Sequence, residues 1–259
     1  MPEGPVGISL LELALASSLL LANGAVSLWL RLGLGRQLLV AGLRTVVQLS
    51  LLGLVLLRVF EGGEPWLVLV ISLAMVVLAS VEAVRRAGRR YDGIRRDTFL
   101  SLLLAAAASL LFIVGLVLEV EPWWAPRYLI PLLGMVLGNS LTGVSLGLER
   151  SLASFDDERA EIELLVAAGA TRWEAARGPA SRALRAGLIP ILNAMSVAGL
   201  VTIPGMMTGQ ILGGTEPSLA ARYQILVMFL IAGATAAGTT GVVLLAVRAR
   251  FDPEGRLLR

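Results

Sequence analysis

The chain has 259 residues, 56% of them hydrophobic and only 16% charged, with a formal net charge of +3 and a mean hydropathy of +0.81; soluble domains are far less apolar. It holds no histidine and no cysteine, and its 22 basic residues are all arginine, which excludes zinc sites, haem held by histidine, thiolate or Ser-His nucleophiles, Schiff bases and a Walker A loop of its own. The arginines sit between apolar runs, a pattern of membrane orientation rather than of nucleic-acid binding.

Apolar windows bounded by charge, proline or glycine place spans near 8–30, 37–57, 66–84, 98–118, 128–148, 186–204 and 222–247. The first is read as a retained span, because it lacks a basic leader and is too long for a signal-peptide core. The connections alternate in charge. Arg31 and Arg36 follow the first span, Arg58 with Glu61 and Glu64 the second, and six arginines the third, in RRAGRRYDGIRRD at 85–97. The connection at 119–127, EVEPWWAPR, is acidic, and the tail carries Arg248, Arg250, Arg256 and Arg259. The positive-inside rule then puts the N-terminus outside and the C-terminus in the cytoplasm, with Trp66, Trp123 and Trp124 in an outer aromatic belt. The expectation is an all-α polytopic transmembrane helix bundle of about seven spans, one domain over 1–259.

A cytoplasmic loop at about 149–186 changes character: it is charged, alanine-rich and helix-forming. Ser154, ahead of Asp156, Asp157 and Glu158, suits an N-cap with acids in the first turn. Gly169 would end that helix and Thr171 would cap a second, short one through Trp173 to Arg177. Composition alone fits an amphipathic hairpin on the membrane surface. Glu163, six residues before Gly169, together with Ala170, Thr171, Arg172 and Trp173, resembles the coupling loop of ABC transporter membrane subunits, in which an acid and a glycine turn present a short helix to an ATPase. Leu164 and Leu165 depart from that pattern, where two alanines are usual.

The stretch at 188–238 carries IPGMMTGQILGG (203–214), RYQI (222–225) and VMFLIAGATAAG (227–238), and LGNSLTGVSLGLER stands at 137–150. In order, these motifs resemble the FetB-type family of ABC transporter membrane subunits, bacterial iron-export permeases with plant relatives in aluminium tolerance. The resemblance covers most of the C-terminal two thirds. It implies a permease that is not itself an enzyme, binds no cofactor, and works with a separate ATPase subunit holding ATP and Mg2+, as a homodimer in a 2+2 complex within a bacterial plasma or inner membrane. Metal export, iron first, is the implied function.

Pro190, Pro204 and the glycines around them are expected to break regular backbone at membrane depth, which is tolerated only against protein or water. Asn193, Thr202, Thr208 and Gln210 add polar groups there, giving a candidate substrate path. Met206 and Met207 are either flexible fillers or soft ligands better suited to Cu(I) than to iron. Gln48, four residues beyond Arg44 on the second span, and Asn139 with Ser140 on the fifth complete the candidates. Glu82 is expected to pair with Arg85 and Arg86. The metal ligands stay open, as does an organic substrate such as a nucleotide sugar. A gradient-driven carrier or channel is the alternative from another class; it lacks a mid-membrane carboxylate and an inverted repeat.

Overall fold

A computed structural model describes residues 7–252 and 254–258; Arg259, counted above among the tail arginines, lies outside them. Nine α-helices account for most of these residues: α1 (Leu10–Trp29), α2 (Gly35–Gly62), α3 (Pro65–Arg86), α4 (Ile94–Leu110, continued by a π-helical turn Leu111–Val117), α5 (Pro126–Asp157), α6 (Arg159–Ala167), α7 (Arg172–Val197), α8 (Gly205–Leu212) and α9 (Pro217–Ala249). Three of the long helices start on proline, where the missing N–H is no loss. The first begins with a capping box in which Ser9 and Glu12 satisfy each other's backbone donors, so Glu12 has a partner at the helix start. No strand occurs among the described residues beyond two isolated bridges.

Six helices are long and apolar enough to cross a membrane: α1, α2, α3, α4 with its π-helical continuation, α5 and α9. The window expected at 186–204 is not a helix of its own. Its helix begins 14 residues earlier at Arg172 and stops at Val197, because Gly199 takes a left-handed φ of 79° and Pro204 caps the next helix. The arginine-rich first half of α7 keeps it out of the apolar set.

Glycine contacts give the helix directions. Gly187 lies on Gly143 and Ala183 on Gly147, so α7 runs antiparallel to α5; Thr235, Thr239 and Val243 pass Gly143 and Gly147 in rising order, so α9 runs parallel to it. Ser101 against Gly241 and Ala105 against Gly238 make α4 antiparallel to α9. The buried core centres on α5, with Leu148, Leu152 and Phe155 among its fully buried side chains. By contrast, Ser27 and Val59 are the only buried residues of α1 and α2.

The same apolar stripe overturns one expectation. Ser154 does not cap a helix: α5 runs through it to Asp157, and Ser154 is buried. Leu148, Leu152 and Phe155 continue the stripe at helical spacing, and burying them outweighs the local N-cap signal. Asp156 and Asp157 therefore stand at a C-terminus, where the helix dipole disfavours them, and cations from elsewhere compensate. Asp156 pairs with Arg89 at 3.2 Å and with Arg250, whose side chain is only 12% exposed. Phe251, just beyond, packs edge-on against Phe155. Asp156→Asn leaves the covered Arg250 without its counter-charge and is expected to cost about 1 to 2 kcal/mol, read as a lower thermal midpoint in detergent. Asp157→Asn serves as the comparison, since Asp157 reaches Arg89 only at 4.0 Å; equal effects of the two substitutions would contradict the clamp. The expected pairs of Glu82 with Arg85 and Arg86 are both present.

Candidate functional site

At the end of the bundle where α3, α5 and α9 finish, the chain forms a helix-turn-helix. Helix α6 stops in a Schellman motif: Gly169 N–H donates to the Val166 carbonyl and Ala170 N–H to the Leu165 carbonyl, both at 3.0 Å. This closure needs a left-handed residue, and Gly169 supplies it at φ 92°. Thr171 then caps α7, as the sequence predicts. Its N–H and hydroxyl donate to Glu174 Oε2 at 2.8 and 2.7 Å, and Glu174 N–H donates back to Thr171 Oγ1. The capped helix is not the short one expected to end near Arg177; it continues to Val197. The turn is thus joined without a break to a helix packed against α5 and α9.

Hydrogen bonds from the Thr171 backbone and then its side chain hold the Glu174 carboxyl below its usual carboxylate value. A depressed pKa means stabilisation that is full above the unfolded value and lost as pH falls through the folded one, so acid should loosen this cap. Thr171→Ala is expected to cost about 1 kcal/mol in the first turn of α7, seen as faster amide exchange at positions 174 and 175. Unchanged exchange would contradict the cap's role.

Of the other loop residues, Glu163 pairs with Arg159 at 2.8 Å. Arg172 and Trp173 are exposed, and Leu164 beside Glu163 is 70% exposed. Buried Ile162 ties α6 to the bundle, as does Arg159, which donates to the carbonyls of Leu257 and Leu258. Glu158 also pairs with Arg182 of α7. The result is a fixed hairpin with an exposed tip.

The structure does not gather the candidate path residues at one place. Met206 and Gln210 of α8 do share a cavity of about 570 Å³ at the opposite end of the bundle, lined also by Arg127, Tyr128, Thr215 and Tyr223. Gln210 Oε1 is itself buried, without a hydrogen-bond partner, an acceptor that the fold leaves unsatisfied beside the cavity. Ser140 sits in the buried seam between α5 and α9, 3.3 Å from Thr235 Oγ1. Asn139 instead turns its amide to the Met135 carbonyl of its own helix, and Thr208 bonds back to the Pro204 carbonyl. Thr202 reaches the Val197 carbonyl only at 3.5 Å. Asn193 and Gln48 are exposed, and Met207 is partly buried. Among the described residues no group of three or more acids, histidines or cysteines could hold a metal.

Two features escape sequence reasoning. Arg127 and Tyr128 of α5 and Tyr223 of α9 join the cavity only through the packing of those helices with α8, and although Arg127 and Tyr223 lie within stretches quoted above, nothing local shows that they meet. The seam of Gly143, Gly147, Gly187, Thr235 and Thr239 does leave a signal, small residues at four-residue spacing on two helices.

Six apolar helices of membrane-spanning length, around a buried core, define a multi-pass helical membrane protein. The chain belongs to the family described as Uncharacterised protein family (UPF0014), whose model matches residues 10–251. It is 39% identical to the UPF0014 membrane protein slr1647 of Synechocystis over 92% of this chain and 93% of that one. It is 32% identical to Protein ALUMINUM SENSITIVE 3 of Arabidopsis thaliana over 74% of this chain and 68% of that one. To the probable iron export permease protein FetB of Escherichia coli it is 28% identical, over 95% of this chain and 94% of that one. No solved structure matches the chain significantly.

Proposed function

We propose that this chain is the permease subunit of an ABC transporter, acting as one domain, that exports a metal ion with energy from ATP hydrolysed on a separate ATPase subunit. The observation that carries the reading is the fixed hairpin of α6 and α7, with Glu163, Gly169, Ala170, Thr171, Arg172 and Trp173 at or near its exposed tip. Such a tip suits docking, and the continuity of α7 offers a rigid path from tip to bundle. ATP and Mg2+ would sit in the partner chain. Iron is the first candidate substrate, from the name of the Escherichia coli relative.

The orientation follows from charge. The bundle end that holds Arg89, Arg159 and Arg250 faces the cytoplasm, with α7 as a seventh pass and the N-terminus outside. A 2+2 complex of two such chains with two ATPases fits the poorly buried α1 and α2, whose surfaces would face lipid or the second copy. The proposed site is a bacterial plasma or inner membrane. Purification from native membranes tests the partner: a co-purifying P-loop ATPase is expected, and its absence under several mild detergents would count against the reading.

A second reading has its own support. The cavity around Gln210 offers guanidinium, phenol, hydroxyl and amide groups, a donor set better matched to an organic anion, such as a nucleotide sugar, than to a bare cation. Stimulation of ATP hydrolysis by one class of compound and not the other separates the two.

A further inference from the structure

Arg177 and Arg185 lie on the same side of α7 and line a groove of about 620 Å³ walled by Leu184, Leu188 and Leu244, with Trp173 at its mouth. Neither arginine takes part in an ion pair among the described residues, whereas Arg182, on another face of the helix, pairs with Glu158. No carboxylate lines the groove. Two guanidinium groups over an apolar trough call for an anion with a hydrocarbon body. The groove extends to Leu192, about 22 Å of helix beyond Arg177, which matches a headgroup layer plus half of a hydrocarbon core of about 30 Å. Its arginine end lies toward the arginine-rich face of the bundle, where an anionic leaflet would supply phosphate and where tryptophan rings favour the interface.

We propose that this groove holds one anionic phospholipid, its headgroup on Arg177 and Arg185 and an acyl chain along Leu184, Leu188 and Leu244. A second copy of the chain fits the groove less well. A twofold contact here would bring the same arginines of both copies together with no carboxylate between them. Only the choice of leaflet rests on the orientation proposed above. Since α7 is continuous from the Thr171 cap through the groove, the bound lipid would brace the helix that carries the hairpin tip.

Native mass spectrometry of the purified chain, titrated with dioleoylphosphatidylglycerol or dioleoylphosphatidylcholine, tests this. A single saturable phosphatidylglycerol adduct is expected, at least about tenfold tighter than phosphatidylcholine. The pair Arg177→Gln with Arg185→Gln should weaken phosphatidylglycerol by about tenfold or more, while the corresponding lysine pair retains most of the binding. Arg95→Gln, which removes an exposed arginine outside the groove, should leave binding unchanged. Equal binding of the two lipids by the unaltered chain overturns the proposal, and that comparison holds even if the glutamine pair fails to fold. Full retention by the glutamine pair, or an equal loss in Arg95→Gln, also overturns it. The chain has no cysteine, so Leu188→Cys gives a clean probe: a disulfide-linked dimer in membranes would put a second copy in the groove and end the lipid assignment.

Discussion

Gly187→Val is expected to abolish accumulation of the folded chain, and Gly143→Val to do nearly the same. A Cβ at Gly187 would stand 2.6 Å from the Gly143 carbonyl oxygen, and one at Gly143 would stand 2.9 Å from the Gly187 oxygen and 2.6 Å from Thr235 Cγ2. These obstacles are backbone and a stiff β-branched side chain, so relief requires α5 and α7 to separate along their length. Overpacking of this kind costs about 3 kcal/mol or more, and separation would also strip the α5 and α9 contacts at Thr235 and Thr239. The readout is the monodisperse fraction and thermal midpoint in detergent. Gly24→Ala and Gly53→Ala, where a Cβ meets nothing, should be neutral or slightly stabilising. A Gly187→Val chain as stable as those two would show that the close approach is not needed.

The second large effect separates coupling from folding. Gly169→Val places a β-branched residue at φ 92°, strained by about 1 to 2 kcal/mol, yet open space surrounds the position. The bundle should persist while the Schellman closure, and with it the angle between α6 and α7, is lost. Under the proposed function, ATPase co-purification and stimulated ATP hydrolysis should fall by about tenfold or more while the thermal midpoint of the bundle moves by only a few degrees. Glu163→Arg, which turns the Glu163 pair with Arg159 into a repulsion at the exposed tip, should act in the same direction. Undiminished hydrolysis in both variants would place the ATPase contact elsewhere.

What could be read from sequence was what short-range chemistry decides. The left-handed turn at Gly169 and the cap at Thr171 each depend on a few adjacent residues. Asp156 and Asp157 misled because their cations, Arg89 and Arg250, are 67 and 94 positions away from Asp156 in the chain. Without those partners, a row of acids reads as the start of a helix. The sixth span misled differently: its window begins just after Arg185, the last arginine of α7, so it holds only the apolar half of that helix and runs on over the break at Gly199.

The candidate path was the least legible part. Asn139 and Ser140 are adjacent, yet one turns to its own backbone and the other into the α5–α9 seam. Which way a polar residue points within a span depends on the rotation of its helix against its neighbours, and that rotation is set by the close approach of Gly143, Gly147 and Gly187 to atoms on other helices. Met206 and Gln210 meet Arg127 and Tyr223 only because α8 folds over the starts of α5 and α9.

Under the proposed function, this chain moves substrate with a motor it does not itself contain. Transport into inside-out vesicles bearing the chain with its co-purified ATPase measures this directly. ATP-dependent uptake of iron, absent when either protein is omitted, is the predicted result. Uptake driven by an ion gradient through the chain alone, and indifferent to ATP, would contradict it.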